Sequence, residues 1–255
     1  MIRIEHLSKT FYPAGASKND SGTAVHALQD ISLQIPQGEY VIVIGANGSG
    51  KSTLLNDIAG SFLPDAGEIY LQEESVTRLA NWQRSRYIAR LFQNPLMGTA
   101  PELSILENFR LAALRTQTKR LSIGTGKEFR ISVADSIAKL GMGLENRLDR
   151  AMGSLSGGQR QALTLLMSTM DDCKILLMDE PCSALDPRSS ELIMELADKI
   201  IREQQRTALL VTHRLKDCID YGDRVIFMEE GAISKDYTGN EKQQLTMEQL
   251  YAYFL

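Results

Sequence analysis

The stretch Val41-Ile42-Val43-Ile44-Gly45-Ala46-Asn47-Gly48-Ser49-Gly50-Lys51-Ser52-Thr53-Leu54-Leu55 decides the fold. Val41–Ile44 is a continuous β-branched run, the pattern of a strand buried on both faces of a parallel sheet. The glycines let the backbone curl until several N–H groups point at one anion. The helix that follows, through Leu54, Leu55 and Ile58, adds the positive end of its dipole. Lys51 supplies a mobile point charge for β- and γ-phosphates, and the Ser52 hydroxyl is placed to ligate Mg²⁺. The spacing G-x-x-x-x-G-K-[ST] between a strand and a helix therefore reads as a phosphate-binding loop. Its contact residues are Gly45, Asn47, Gly48, Ser49, Gly50, Lys51, Ser52 and Thr53. Gly60 is the expected C-cap of the helix.

Upstream, Ile2, Ile4 and Leu7 alternate as in a half-buried strand. The polar stretch FYPAGASKNDSGTA follows, an expected mobile loop. Leu28, Ile31, Leu33 and Ile35 predict a second strand before the turn Pro36-Gln37-Gly38. Downstream, residues 95 to about 155 lose long buried strands and show apolar residues at helical spacing, so they read as a helical insertion. Within it, RTQTKRLSIGTGKEFR is read as a solvated loop or helix face. Ala162, Leu163, Leu166, Met167 and Met170 then form one helical stripe, read as core packing. Ile175–Met178 and Ala208–Val211 are further buried strands. Asp186 and Pro187 open a helix carrying Leu192, Ile193, Leu196 and Ile200 on one face. Val225–Met228 and the turn at Gly231 predict a terminal hairpin before a short C-terminal helix. Strands alternating with helices predict a mainly parallel sheet covered on both sides.

Two further signals bear on chemistry. The strand Ile175–Met178 ends abruptly in Asp179 and Glu180. Beside a phosphate loop, Asp179 would hold Mg²⁺ and Glu180 could polarise an attacking water. Leu155-Ser156-Gly157-Gly158-Gln159 leads straight into a helix, with Ser156 as N-cap and glycines exposing backbone N–H groups. This is either a plain capping loop or a second anion site. One chain with one nucleotide needs no second γ-phosphate site, but a head-to-tail homodimer does. Ser156, Gly157, Gly158 and Gln159 would then serve the partner's nucleotide.

Taken together, GANGSGKST, LSGGQ, ILLMDE, SALD and the histidine after TALLVT resemble the nucleotide-binding subunits of ABC transporters over nearly the whole chain. The resemblance implies a P-loop NTPase (RecA-like) α/β core with a mainly parallel sheet, an antiparallel β arm and an inserted helical subdomain. Residues 1–93 and 160–233 would form the core and arm, 94–159 the helical subdomain and 234–255 a short helical tail, within one domain. It also implies that ATP and Mg²⁺ are bound and ATP is hydrolysed. Gln93, in LFQNP, would reach toward Mg²⁺ and the water, and His213 would contact the γ-phosphate. Asp186 would act across the dimer. Phe11 would stack on adenine, with Tyr12 as the alternative. LFQNPLMGTAPELSILENF resembles a narrower subgroup of tryptophan/tyrosine importer ATPases. Implied partners are a second copy of the chain, transmembrane permease subunits docked near residues 94–118, and an extracytoplasmic solute-binding protein. The implied location is the cytoplasmic face of the cell membrane. An exporter subunit or a soluble non-transport ATPase of the same type remains the alternative.

Composition limits other classes. The 255 residues carry a net charge of −4, which gives no electrostatic case for nucleic acid. No apolar run approaches the roughly 18 residues of a membrane span. Cys173, Cys182 and Cys218 have no metal spacing and are too few for a disulfide scaffold. Cys182, two residues after Glu180, is expected to make the activity thiol-sensitive unless burial leaves it inert.

A base held by stacking on Phe11 is read through its π-face rather than through hydrogen bonds. GTP should therefore be hydrolysed within roughly tenfold of ATP, because hydrogen-bond readout is what yields large discrimination. Comparing steady-state phosphate release from the two nucleotides checks this, and a preference above a thousandfold would expose polar groups that read the base.

Overall fold

The computed structural model describes residues 1–13, 24–114, 124–171 and 173–253. Most of the loop expected after Phe11, and the first part of the basic stretch from Arg115, lie outside the described residues. The chain begins with strands β1 (Ile2–Phe11), β2 (Val25–Ile35) and β3 (Tyr40–Ile44), then helix α1 (Lys51–Ala59). Strands β4 (Ala66–Leu71) and β5 (Glu74–Ser75), helix α2 (Asn81–Arg84) and strand β6 (Ile88–Leu91) follow. Helices α3 (Ile105–Ala113) and α4 (Lys127–Ala138) lie in the stretch read as a helical insertion, and α5 (Gly157–Ser168) follows them. The α/β alternation resumes with β7 (Ile175–Asp179), α6 (Pro187–Glu203), β8 (Thr207–Val211), α7 (Leu215–Asp220), β9 (Arg224–Glu229) and β10 (Ala232–Thr238). Two short helices, α8 (Gly239–Gln243) and α9 (Met247–Ala252), end the described chain.

The strands form two sheets. One has the order β10-β9-β3-β8-β7-β6, and the other is β2-β1-β4-β5. Strands β9, β3, β8, β7 and β6 pair in parallel, whereas β10 and the whole second sheet pair antiparallel. The central strands β3, β7 and β8 send successive side chains to opposite faces, and both faces are largely apolar. Tyr40, Ile42, Ile44, Leu176, Met178 and Leu210 join the core that holds helices α3, α4, α5 and α6. Their neighbours Val41, Val43, Leu177, Leu209 and Val211 join a second core with Leu54, Leu55 and Ile58 of α1. That second core also takes Ile2, Ile4, Leu33 and Ile69 of the antiparallel sheet. Helix α1 is therefore clamped between the two sheets, and the loop before it cannot drift.

The expected caps are present. Gly60 ends α1 in the left-handed region, and the Asp186 side chain accepts from the Ser189 N–H at the start of α6. Three expectations need adjustment. Met170 lies beyond α5 and is 38% exposed rather than continuing the buried stripe, because the Ser168 and Thr169 hydroxyls turn back onto the Leu165 carbonyl and the helix stops. The tail expected to be helical from residue 234 is still strand β10 up to Thr238, where polar residues alternate along a sheet edge. The boundary at residues 159/160 falls inside α5, which packs on α3 and α4 as well as on α6.

The C-terminal end of α1 rests on a buried cation. The Arg84 guanidinium, fully buried, donates to the carbonyls of Asp57, Ile58, Thr77 and Leu79. Two of these are among the last carbonyls of α1, which have no partner inside the helix. Burial pushes the Arg84 pKa down to about 10, with Asp57 opposing that shift. The Asp57 carboxylate is itself buried with no hydrogen-bond partner, and burial raises its pKa to about 6 against the pull of Lys9 and Arg84.

A carboxyl whose pKa is raised by folding favours the folded state below its unfolded value and loses that contribution as pH rises through its folded value. For Asp57 the window runs from about pH 4 to about pH 6. Asp57→Asn should therefore match the parent in urea unfolding at pH 4. It should gain progressively up to pH 6 and level off about 2–3 kcal/mol more stable above it. A constant difference across that range would show that Asp57 does not titrate there.

Candidate nucleotide-binding and hydrolysis site

The carboxyl ends of β3, β8, β7 and β6 lie side by side in the sheet, and each delivers a candidate residue to the same edge. In open α/β sheets this edge is where ligands bind. After β3, Gly45, Gly48 and Gly50 all have positive φ. A Cβ on Gly45 would come within 2.1 Å of the Met228 carbonyl oxygen, and one on Gly50 within 2.3 Å of the Ala27 oxygen. The loop thus has the shape that only glycine allows, walled by β2 and β9. Asn47 stands exposed at its crest, and Ser49 is buried beneath it.

Lys51 is buried in the loop, where its Nζ donates to the Gly45 and Ala46 carbonyls at 2.9 and 2.8 Å. Burial lowers its pKa, opposed by the charges of Glu180 and Asp179. No acidic side chain occupies the first turn of α1, which leaves the positive end of that helix to an external anion. Thr53 is half-buried in the same turn. The Ser52 hydroxyl donates to Asp179 Oδ1 at 3.1 Å. Burial raises the Asp179 pKa, with the Ser52 hydrogen bond and Arg90 pulling the other way. A hydroxyl and a half-desolvated carboxylate meeting at one point form a hard oxygen pair, the donor type Mg²⁺ takes alongside phosphate oxygens.

Glu180 is the focus of the site. Its N–H donates to the Val211 carbonyl at 2.9 Å, locking the exit of β7 to the end of β8. Its φ is +44°, in the left-handed region that a non-glycine residue enters at a cost of order 1–3 kcal/mol. In that pose Glu180 Oε2 accepts from Gln93 Nε2 at 3.4 Å, and His213 Nδ1 lies 3.3 Å from the same oxygen. Two side chains, from the ends of β6 and β8, thus converge on one carboxylate oxygen at the end of β7.

The turn Leu155-Ser156-Gly157-Gly158-Gln159, hereafter the signature turn, is engaged elsewhere in the chain's own network. Ser156 caps α5 and exchanges hydrogen bonds with Gln159 in a capping box. A Cβ on Gly158 would sit 2.6 Å from Ser189 Oγ, and Ser189 also donates to Asp186. The signature glycines and Asp186 are therefore packed together as one surface unit at the head of α6. Phe11 ends β1 opposite Val25, two residues from the Ala27 carbonyl that abuts Gly50. Its ring meets Phe62 edge-on at 5.3 Å and carries Lys9 Nζ 5.5 Å from its centre. Tyr12 is more exposed, and Phe11 is the better-held ring.

Two contributors escaped the sequence reading. Arg90, in the middle of β6, donates to Asn56 Oδ1, and Asn56 donates in turn to the Ser52 carbonyl. A charged residue inside a four-residue buried strand was the available signal. The other is Gln161, which lies buried in α5.

The loop, the paired carboxylates and the strand-end edge define a P-loop nucleoside triphosphatase. The sequence profile of the ABC transporter family matches residues 28–183. A tyrosine transport ATP-binding protein from Clostridioides difficile is 38% identical over 255 residues, covering 100% of this chain and 98% of that protein. The thiamine import ATP-binding protein ThiQ of Histophilus somni is 40% identical over 199 residues, 78% of this chain and 87% of its own. A dimeric ATP-binding cassette bound to ADP and Pi superposes with a TM-score of 0.78 at 28% identity, over 93% of this chain and 98% of that one. The chain belongs to the ABC transporter family and is an ATP-binding, ATP-hydrolysing subunit. Among the described residues, no helix is long and apolar enough to cross a membrane.

The expected thiol sensitivity at Cys182 is not supported by its surroundings. Cys182 is 6% exposed, its Sγ donates to the Ser190 carbonyl, and burial raises its pKa to about 11. A buried thiol with so little thiolate is inert. Cys173 and Cys218 are buried as well. Maleimide should leave the native protein unmodified at Cys182 and label it readily in urea. Peptide mass spectrometry of the two samples reads this directly, and native labelling at Cys182 would show that the turn after Glu180 opens.

Proposed function

We propose that two copies of this chain clamp two ATP molecules head to tail and drive a membrane importer for a small solute such as an amino acid. The observation that carries the reading is the convergence of Gln93 and His213 on Glu180, beside the Ser52–Asp179 pair and the Lys51 loop. Ser52 and Asp179, together with Gln93, would hold Mg²⁺, which would supply charge neutralisation for the phosphates. Glu180 accepts a proton from the attacking water as general base, held in place by Gln93 and His213. The strained backbone at Glu180 is consistent with a side chain positioned for chemistry rather than for packing.

In the unit of Ser156, Gly157, Gly158, Gln159 and Asp186 the capping box uses the Ser156 and Gln159 N–H groups, so the Gly157 and Gly158 N–H groups at the head of α5 would be the ones to serve the γ-phosphate held by the other protomer. Contacts made only in the closed dimer shift the equilibrium toward closure, and hydrolysis removes them. The helical segment from residue 94 onward would carry the motion to the permease. A groove of about 740 Å³ lies where α2 meets α3, lined by Leu79, Trp82, Arg86, Leu111 and Leu114. Trp82 is 75% exposed and Leu111 52%, an apolar pair suited to a permease loop. The amino-acid reading follows the tyrosine transport relative, and an extracytoplasmic binding protein would deliver the solute. The chain would work on the cytoplasmic face of the membrane.

Glu180→Gln keeps the side chain's shape and removes the base. Turnover should fall by roughly 10²–10⁴-fold while ATP affinity survives. The closed dimer should accumulate with Mg·ATP on size-exclusion chromatography. Lys51→Ala should lose nucleotide binding and stay monomeric. Parental turnover in Glu180→Gln would remove Glu180 from the role of base.

A further inference from the structure

Gln161 is a fully buried amide in the second turn of α5, four residues after Gly157. Its Nε2 donates to two backbone carbonyls from different segments, Phe92 at 2.9 Å and Pro181 at 3.0 Å. Phe92 immediately precedes Gln93, and Pro181 immediately follows Glu180. One amide therefore ties together the two turns whose side chains meet at Glu180 Oε2. Its own Oε1 is buried with no partner, so the amide is held by its donors alone. A buried acceptor left unpaired is costly, and a merely space-filling apolar side chain at this position would avoid that cost.

The same helix carries the signature turn at its first residues. Its N-terminus faces outward through Ser156 and Gly157, and its next turn grips the hydrolysis site of its own chain. A displacement at one end of a rigid helix is carried to the other.

We propose that Gln161 is a positioning residue that sets the Gln93–Glu180 geometry in its own subunit according to what the head of α5 contacts on the other subunit. It touches neither nucleotide nor water. It fixes the spacing of two turns, so hydrolysis at one site depends on the signature contact made by the same chain at the other. This rests on the head-to-tail reading given above.

The test uses the full-length chain. Gln161→Met keeps the length of the side chain and removes both donors. Its turnover should fall by about ten- to a hundredfold, with KM for ATP and binding of a fluorescent ATP analogue within threefold of the parent. Gln161→Glu should be as slow at pH 8 and recover part of the parental rate toward pH 6, where a protonated carboxyl donates again to one carbonyl. Circular dichroism melts of both variants establish that they are folded. Adding Gln161→Met to Glu180→Gln should slow the residual rate no further, because both substitutions disable one unit. Dimers should still accumulate in that double variant. Parental turnover in Gln161→Met, or a loss that adds in full to that of Glu180→Gln, overturns the proposal. Equal loss of nucleotide binding and turnover also overturns it, leaving a purely structural role. If Glu180→Gln itself keeps parental turnover, the reading of the hydrolysis site fails instead, whatever Gln161→Met does.

Discussion

Both faces of the parallel sheet must be covered, and the rest of the molecule answers to that requirement. Successive residues of β3, β7 and β8 enter opposite cores. One core is closed by the helical insertion and α6, the other by α1 and the antiparallel sheet. A strand that is apolar on both sides carries little in its side-chain alternation to mark its register, because a slip of one residue still presents apolar groups to each core. Register is therefore held at the strand ends, by bonds such as Glu180 N–H to the Val211 carbonyl. The site occupies those ends because there the alternation stops and polar side chains are free to meet.

Electrostatics at this edge is arranged around charges that burial disfavours. Lys51 is pulled down in pKa and Asp179 pushed up, each by desolvation and each moderated by the other. Their opposition keeps a cation and an anion close together in a half-buried loop without a direct ion pair. The lysine spends its donors on the Gly45 and Ala46 carbonyls instead. An incoming phosphate has to replace those bonds, so recognition is an exchange of partners rather than the filling of an idle charge.

Much of this was legible in the sequence because the chemistry is local there. The loop from Gly45 to Ser52, the strand ending in Asp179 and Glu180, and the caps at Gly60, Ser156 and Asp186 each lie within a few consecutive residues. The short continuous apolar runs marked the buried strands for the same reason. What stayed hidden is non-local. The short strands β4, β5 and β6 have weak periodicity and form because β1 and β7 accept them. Arg84 reads as an ordinary polar residue until α1 ends beside it. Gln161 sits at an unremarkable helical position, and its role appears only when Phe92 and Pro181 arrive from 69 and 20 residues away. Met170 and Cys182 misled through their neighbours in sequence, whereas their exposure is fixed by hydroxyl and carbonyl groups that periodicity does not register.

The wall of the phosphate loop has a consequence for synthesis. Gly231 N–H donates to the Ser49 carbonyl, Gln29 N–H donates to the Gly231 carbonyl, and the Met228 carbonyl lies against Gly45. The loop at residues 45–52 is complete only when the hairpin of β9 and β10 has closed over it. A nascent chain grows from its N-terminus at about 5–20 residues per second. The glycine loop therefore leaves the ribosome long before its outer wall exists, and the emerging chain has no finished cradle for nucleotide through most of its translation. Nucleotide can therefore stabilise the finished subunit, but its cradle is assembled only once the C-terminal hairpin has been made.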